Sequence, residues 1–547
     1  MNIHIFFFSL TVLFISPIKN LCNLLYAVSS NLDVLWKQLP TLFCNFLYKD
    51  EDVRPFPNKL MRPKSEEELL MERTKGYWRN AALNTIADKL RQRMNFNTAK
   101  NVIFFLGDGM SVPTITATRV YMGGEEKSLA FETFPYTGLS KTYCVDHQTA
   151  DSACSATAYL TGVKANLGTI GVTAAVNLKN CTAMNQRENQ LDSIAKLFQL
   201  QGRRTGLVTT TRVTHATPAG LYAHTADRHW ETDTDVSTLN GDVTDCEDIA
   251  HQLVFGKTGQ QLNVILGGGR RGFLPREVID EQGNSGVRSD GLNLIEEWIK
   301  FRENHNQSYQ YIWNRDQLLN IQNGTDYLLG LFQSSHMNYN KERNTETQPS
   351  LEEMTEAAIK VLDKQNSSGY FLLVEGGRID MAHHYTWAHK ALDETAEFSK
   401  AIQRAVEITN EENTLIVVTA DHAHTMSFSG YAARGSDVFG YAGMGTDKLP
   451  YTILTYANGP GYRPPNDEGR RYVPLPEDIN EIQYQWPSVA PMEKESHGAD
   501  DVTVYAQGPW SHLFTGVMEQ NVIPHLISLA ACVSTDIECE ETDTKAP

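Results

Sequence analysis

The sequence predicts an α/β protein in which helices cover both faces of a large, mostly parallel sheet, giving a three-layer α/β/α sandwich. The first observation is a series of short, continuously apolar runs, each ending in a polar or glycine-rich loop. Helical segments separate these runs, and that alternation is typical of parallel strands buried on both faces. The second observation is that Asp, Glu or His follows nearly every run, where such sheets place their ligand sites.

Five runs carry this pattern and are predicted as strands. They are residues 102–106, 205–211, 263–266, 370–374 and 415–419. The polar segments behind them include Asp108, Arg212 to His215, Glu375 and the pair Asp421-His422.

Helices are predicted between the strands. An amphipathic helix over 78–94 should open the globular part, and a second should run over 380–408. Another should begin at Asp151 or Ser152, either of which can cap it, and stop at Gly162. A serine at such a helix start lies at the positive end of the dipole, which favours its ionised form and an attached phosphate.

Length and charge limit the function classes. The 547 residues allow two to four domains, or one large catalytic domain with insertions. The net charge of −18 argues against a nucleic-acid surface and against electrostatic docking to anionic lipid. An anionic substrate would therefore need local cations to overcome the general field.

The ends of the chain predict an exported protein. Residues 1–29 are predicted as a signal peptide, a retained N-terminal anchor being the alternative, and 30–75 as an N-terminal extension. The main domain is predicted over 76–539, with an irregular insertion at 430–496, and a tail follows at 540–547. Four sequons and eight cysteines suit a secreted, disulfide-bonded chain. The sequon asparagines are Asn180, Asn306, Asn323 and Asn366.

Several residues suggest metal binding. Asp380 and His384 are four apart on one helix face and can hold one ion, and His497 is flanked by a glycine that permits close approach. Imidazoles with carboxylates, as in Asp421-His422, suit zinc. The oxygen ligands suit magnesium; they are Asp108, Thr217 and Glu375. Arg228 is a candidate for bidentate binding of a phosphate, with a surface salt bridge as the alternative.

Together these stretches resemble the alkaline phosphatases of the animal type, in an invertebrate, secreted or formerly membrane-bound form. The likeness runs from about Tyr77 to Cys539. The matching motifs are Leu106-Gly107-Asp108-Gly109-Met110, Asp151-Ser152-Ala153, the run from Thr211 to Gly220, the run from Val374 to Asp380, Thr419-Ala420-Asp421-His422 and Ser496-His497-Gly498.

The resemblance implies an α/β/α fold with a crown-like insertion, a homodimer, and hydrolysis of phosphate monoesters at alkaline pH with broad specificity. Ser152 would be the nucleophile that becomes phosphoserine, and Arg228 would bind the phosphoryl oxygens. The implied metals are two zinc ions and one magnesium per chain. The implied ligands are Asp380, His384 and His497 for the first zinc, Asp108, Asp421, His422 and Ser152 for the second, and Asp108, Thr217 and Glu375 for magnesium, with His215 reaching it through water. The implied disulfides are Cys181–Cys246 and Cys532–Cys539.

Three departures from the family pattern are expected to matter. Met381 replaces the His or Lys that usually follows the zinc-binding aspartate, and a thioether cannot hold a water bridge to phosphate. Gln333 and Gln348 stand where vertebrate members have calcium-binding carboxylates, although Glu277 is a candidate third ligand, so tight calcium binding is not expected. The C-terminus lacks the hydrophobic tail that a glycolipid anchor needs.

Two alternatives remain at this level: a phosphodiesterase or sulfatase relative on the same scaffold, and a catalytically silent binding protein or surface receptor. Ser152 as nucleophile and the full magnesium set argue against the first. The presence of every metal ligand argues against the second.

Overall fold

The computed structural model describes residues 65–240, 246–364 and 367–533, and its strands follow the predicted alternation with helices. The strands are β1 (Asn101–Gly107), β2 (Tyr136–Lys141), β3 (Arg204–Arg212), β4 (Val264–Gly268), β5 (Tyr309–Ile312), β6 (Tyr327–Leu331), β7 (Tyr370–Gly376), β8 (Thr414–Thr419), β9 (Ala423–His424), β10 (Met426–Phe428), β11 (Tyr441–Met444), β12 (Pro450–Thr452), β13 (Leu454–Gly459), β14 (Ser488–Pro491), β15 (His497–Gly498), β16 (Val502–Gln507) and β17 (Gly516–Glu519).

The helices connect and cover these strands. They are α1 (Glu66–Glu72), α2 (Lys75–Arg91), α3 (Val112–Gly123), α4 (Ser152–Thr161), α5 (Cys181–Met184), α6 (Ile194–Leu200), α7 (Ala216–Ala219), α8 (Asp233–Asn240), α9 (Ile249–Phe255), α10 (Leu294–Asn304), α11 (Arg315–Leu319), α12 (Leu351–Leu362), α13 (Arg378–His384), α14 (Ala388–Ile408) and α15 (Ile523–Ala531).

One ten-stranded sheet organises the fold, in the order β17-β2-β16-β8-β1-β7-β3-β4-β6-β5. The strands from β8 to β5 in that order are all parallel, and β16 alone runs against its two neighbours. All five strands predicted from the sequence lie in this sheet, which confirms the α/β class.

Helices bury both faces of the sheet, which gives the predicted three layers. Strand β1 is fully buried, and its alternate residues belong to two different apolar clusters. Phe104 packs with Tyr159 of α4 and Phe198 of α6 on one face, while Phe105 packs with Phe398 of α14 on the other. Burial on both sides explains why the strand reads as a continuous apolar run.

The long helix predicted over 380–408 is two helices. α13 ends at His384, α14 begins at Ala388, and Thr386 between them has a positive φ of 54°. The backbone of Thr386 is held by Trp486, whose backbone N–H donates to the Thr386 carbonyl at 2.9 Å. Asp380 and His384 both stay within α13, so the break leaves their shared face intact.

The helix predicted over 78–94 is α2, Lys75–Arg91, and it buries none of its side chains within the described chain. Its apolar residues therefore lie on the surface instead of packing against the sheet.

The segment 430–496 is less irregular than its composition predicts. It contains β11 to β14, in a two-stranded sheet and in a three-stranded sheet with β10. Its buried side chains, including Phe439 and Trp486, pack with Ala388 and Leu392 of α14. The insertion thus shares one apolar cluster with the main body.

Candidate active site and metal centres

The predicted site residues meet at the carboxyl edge of four neighbouring strands, β8, β1, β7 and β3. Asp108 follows β1, Glu375 lies near the end of β7, Asp421 follows β8, and Thr217 lies on α7 just beyond β3. All four are fully buried. Adjacent parallel strands end at one edge, so residues far apart in sequence form a single pocket of oxygen atoms.

Ser152 is the first residue of α4, as the small-residue run predicts. Asp151 caps the helix, accepting from the Cys154 N–H at 3.2 Å, and Gly162 ends it with a φ of 82°. The Ser152 hydroxyl oxygen lies 3.3 Å from Nε2 of His422 and is almost completely buried. The helix dipole therefore points its positive end at a serine that contacts the cluster.

Asp151 positions Arg228. The Nη1 of Arg228 donates to Oδ2 of Asp151 at 3.0 Å, and the N–H of Gly168 donates to Oδ1 at 3.0 Å. The Nη2 of Arg228 donates to Nε2 of His215 at 3.2 Å. Because both Asp151 oxygens accept hydrogen bonds, this carboxylate both caps the helix and holds Arg228, and it does so from the position directly before Ser152.

The first candidate zinc site is formed by Asp380, His384 and His497. Nε2 of His384 and Nε2 of His497 lie 3.2 Å apart, and each is within 3.4 Å of an Asp380 oxygen. The Nδ1–H of His384 donates to the Glu495 carbonyl at 2.5 Å, and that of His497 donates to the Ala150 carbonyl at 2.8 Å. Carbonyls only accept, so both Nε2 atoms turn their lone pairs toward each other and toward a carboxylate, which is the arrangement a cation needs.

The second candidate zinc site is formed by Asp108, Asp421 and His422. Nε2 of His422 lies 3.1 Å from Oδ2 of Asp421 and 3.6 Å from Oδ1 of Asp108. Its Nδ1–H donates to the Ala423 carbonyl at 3.3 Å, so Nε2 is again the ring nitrogen that carries a lone pair. Burial keeps the pKa of His422 well below its usual value, so the imidazole stays in the neutral form that binds metals.

The candidate magnesium site joins Asp108 to Glu375 and Thr217. Thr209 and Thr211 donate to Oε2 of Glu375, while Oε1 has no hydrogen-bond partner within the described chain. The Nδ1 of His215 is also buried without a partner there, which fits the water-mediated contact that the resemblance implies.

The charge of the cluster tests whether cations fit. Both oxygens of Asp108, Oδ2 of Asp421 and Oε1 of Glu375 are buried with no hydrogen-bond donor in the described ranges. Burial and the Asp421 carboxylate raise the pKa of Asp108 well above its usual value, and burial raises that of Glu375 to about 7. Buried carboxylates without donors are strongly unfavourable alone, so the donor set fits divalent cations.

His424 and Glu495 belong to the site although neither was predicted from the sequence. Nε2 of His424 donates to Asp380 at 2.6 Å, and its Nδ1 donates to the Glu495 carboxylate. Against the effect of burial, Glu495 and Asp380 raise the pKa of His424 to about 10, which favours its protonated form between these two carboxylates. The run Asp421-His422-Ala423-His424 carried this signal, but only the pairing of β9 with β15 places His424 opposite His497.

The disulfides include one that the sequence did not predict, Cys144–Cys154. Cys181 is bonded to Cys246, the pairing that the resemblance implies. Cys532 is also disulfide-bonded, and Cys539 lies outside the described residues. Among the helices that the structure describes, none has the length and apolar character that a membrane crossing requires.

The chain is similar to known phosphatases along most of its length. The alkaline phosphatase family profile matches residues 99–533. A membrane-bound alkaline phosphatase of Bombyx mori is 49% identical over 443 residues, 80% of each chain. The tissue-nonspecific alkaline phosphatase of Felis catus is 46% identical over 485 residues, 85% of this chain and 90% of that one.

Two bacterial structures share the fold. The alkaline phosphatase of Thermus thermophilus has a TM-score of 0.56 at 22% identity, covering 81% of this chain and 94% of that one. That of the Antarctic bacterium TAB5 has a TM-score of 0.55 at 22% identity, covering 80% and 99%. With the family profile matching from before β1 to the end of α15, this chain belongs to the alkaline phosphatase family.

Proposed function

We propose that this chain hydrolyses phosphate monoesters through a phosphoserine formed on Ser152. The observation that carries the proposal is the position of the Ser152 oxygen, at the start of α4 and 3.3 Å from His422 in the carboxylate and imidazole cluster. Arg228 is held by Asp151, the residue before Ser152, and is hydrogen-bonded to His215. A serine that contacts a cation-binding cluster and follows the carboxylate that holds a guanidinium is placed to attack a bound phosphoryl group.

The first half of the reaction transfers the phosphoryl group to the protein. The Ser152 oxygen attacks phosphorus as the bond to the ester oxygen breaks, the serine proton leaves to solvent, and the departing alcohol takes a proton from water. The guanidinium of Arg228 and the first-turn amides of α4 hold the equatorial oxygens during this displacement. Water then attacks the phosphoserine, releasing phosphate and restoring the hydroxyl.

The proposed complement is two zinc ions and one magnesium per chain. Asp380, His384 and His497 would hold one zinc, and Asp108, Asp421 and His422 the other, beside Ser152. Asp108, Thr217 and Glu375 would hold magnesium. When bound, these cations lower the pKa of the serine hydroxyl and balance charge on the attacking and leaving oxygens. The protein holds the ligands in register through the Nδ1–H hydrogen bonds of its histidines.

Broad specificity and an alkaline optimum are part of the proposal. The groups named above contact the phosphoryl end of a substrate, so they do not select the alcohol. Met381, beside Asp380, does not add a polar contact to phosphate, because its sulfur accepts from Nη1 of Arg378 at 2.8 Å. We therefore expect weaker phosphate binding than a histidine or lysine at 381 would give.

The test is the substitution Ser152→Ala in purified protein. Hydrolysis of an aryl phosphate monoester should fall by at least about 10³-fold, because a nucleophile is lost. Acid quenching with a ³²P-labelled monoester should leave label on the wild-type peptide that contains Ser152 and none on the variant. Hydrolysis that survives in the variant would contradict the assignment, as would faster turnover of an aryl diester or sulfate by the wild type.

We propose a homodimer, with α2 as part of the contact. Leu83, Ile86 and Leu90 lie on one face of α2 at helical spacing and are 51%, 53% and 81% exposed. Trp78 adds a 54% exposed side chain to the same helix. A second copy of the chain would bury this apolar surface.

We also propose that the protein is exported and glycosylated. Asn180, Asn306 and Asn323 are exposed, as a sugar attachment site must be, and Asn366 lies outside the described residues. The disulfides agree with an oxidising compartment.

Tight calcium binding is not part of the proposal. The amide of Gln333 donates to the Gln348 side-chain oxygen at 2.9 Å, and the N–H of Asn338 donates to the same oxygen at 3.2 Å. Glu277, the third candidate ligand, is exposed. Two neutral amides bonded to each other are poor substitutes for carboxylates that bind calcium.

A further inference from the structure

The Cys144–Cys154 disulfide encloses Ser152 in a short ring of chain. Its cysteines are 10 residues apart, and both are 2% exposed. Cys154 lies in the first turn of α4, and its N–H is the one that Asp151 caps. The other pair, Cys181–Cys246, spans 65 residues.

Three consecutive residues inside this ring each contact a different part of the site. The Ala150 carbonyl accepts from Nδ1 of His497 at 2.8 Å. Asp151 holds Arg228 at 3.0 Å. Ser152 faces His422 at 3.3 Å. A shift of the segment 150–152 would therefore disturb a metal ligand, the arginine and the serine together.

On the N-terminal side of these residues the chain is held mainly by the disulfide and by a few contacts with residues 164–167. Residues 142–150 lie between β2 and α4 and contain no helix or strand. The apolar cluster around them is small: Cys144, Ala150, Cys154 and Ala165, with Leu167 beside it. Three hydrogen bonds tie the loop to residues 164–167: Val145 N–H to the Ala165 carbonyl at 3.0 Å, Leu167 N–H to Asp146 at 2.9 Å, and Lys164 Nζ to the Tyr143 carbonyl at 3.0 Å.

We propose that the Cys144–Cys154 disulfide is a positioning element for the reaction at Ser152. It fixes residues 150–152 in position relative to His497 and Arg228. This inference rests on the proposed function. A disulfide can stabilise the fold or position the reacting groups. Stabilisation through the unfolded chain grows with ring size, so it should be larger for Cys181–Cys246. Positioning depends on how near the disulfide lies to the reacting groups, so it should be larger for Cys144–Cys154.

The experiment compares two double variants, Cys144→Ser/Cys154→Ser and Cys181→Ser/Cys246→Ser, with the wild type, each assayed with saturating zinc and magnesium. The first should lose about tenfold in kcat with a smaller change in KM, because misplaced reacting groups act mainly on the chemical step. The second should lose more in Tm and less than about twofold in kcat. This second variant is a stringent control because its disulfide also lies near the site: Cys181 packs in one cluster with Ala226 and Trp230, which flank Arg228.

A second readout does not depend on activity. Hydrogen–deuterium exchange of the peptide covering 145–155, measured on chelator-treated protein, should be at least about tenfold faster in Cys144→Ser/Cys154→Ser. In Cys181→Ser/Cys246→Ser the same peptide should exchange at the wild-type rate. If the first variant does not fold, reduction of this disulfide in folded wild type, followed by mass mapping, should lower kcat, and reoxidation should restore it.

The inference is overturned if both variants lose kcat in proportion to their loss of Tm, or if Cys144→Ser/Cys154→Ser keeps wild-type kcat and exchange. Reduction of Cys144–Cys154 without loss of kcat would overturn it equally. Failure of the proposed function looks different, because the wild type itself would then turn over no monoester.

Discussion

Asp108 and Asp280 are both buried aspartates, but Asp280 is surrounded by hydrogen-bond donors and Asp108 has none within the described chain. Asp280 accepts from the N–H groups of Gln282 and Asn284 at 2.9 and 2.7 Å and from Nε of Arg270 at 2.9 Å. Although burial opposes it, these donors lower the pKa of Asp280. Both oxygens of Asp108 lack any donor within the described chain, and burial with neighbouring carboxylates raises its pKa.

The difference separates a structural carboxylate from one built for a ligand. Around Asp280 the chain supplies its own cation, since the buried Arg270 also donates to the Leu331 carbonyl and to Gln282. Around Asp108 the nearest charged groups are mostly carboxylates, and Arg228 is engaged by Asp151. Folding such a cluster costs free energy that divalent cations recover when they bind.

Asp108→Asn removes one of the carboxylates that have no hydrogen-bond donor within the described chain. We expect hydrolysis of an aryl monoester to fall by at least about 10³-fold, because Asp108 is proposed to belong to both the zinc and the magnesium ligand sets. The metal-free variant should melt at or above the Tm of metal-free wild type, since one uncompensated charge has gone. Steady-state kinetics and thermal melts in chelator measure the two effects. A metal-free variant that melts well below the wild type would show that Asp108 has a structural partner.

The matched change at the other aspartate is Asp280→Asn. It removes the nearer of two charged partners of the buried Arg270 and leaves Glu281 at 3.5 Å. The free energy of unfolding should therefore fall by up to about 3–5 kcal/mol. The kcat of the folded protein should stay within about twofold of the wild type. Denaturant unfolding and kinetics well below the transition check both statements, and a large loss of kcat without loss of stability would be the contrary result.

Glu394 is a buried carboxylate that lies between these two cases. Its carboxylate accepts from the Asn340 N–H at 2.6 Å, and burial raises its pKa to about 7 from the ordinary 4.5. The folded chain thus binds this proton more tightly than the unfolded chain, so stability falls as pH rises from 4.5 to 7 and stays reduced above that range.

Glu394→Gln removes this titration. Relative to the wild type, the variant should gain stability at pH 8, by at most about 3 kcal/mol, and gain little at pH 4.5. Thermal melts at the two pH values measure the difference. An equal effect at both would show that Glu394 does not titrate in this range.

Much of the fold and site is predictable from the sequence for identifiable physical reasons. The strand before Asp108 is buried on both faces, which makes it continuously apolar, and the start of α4 carries its own cap and stop at Asp151 and Gly162. Asp380 and His384 share a helix face, so their spacing alone indicates that they can bind the same metal ion.

Other features depend on contacts between distant segments, which no local pattern encodes. His424 meets Asp380 and Glu495 only because β9 pairs with β15. The break at Thr386 follows from its contact with Trp486, and the bond from Cys144 to Cys154 needs the loop after β2 to fold back on α4. The predicted helix opening the domain has helical spacing, but spacing does not say which partner covers an apolar face.

The most direct test is the melting temperature of metal-free protein as zinc and then magnesium are added. The donor-free carboxylates around Asp108 predict a rise in Tm with zinc, a further rise with magnesium, and the appearance of monoester hydrolysis over the same concentrations. Asp280→Asn should show the same rises from a lower starting Tm, while Asp108→Asn should show much smaller ones. An unchanged Tm on addition of both metals to the wild type would show that these carboxylates do not bind divalent cations.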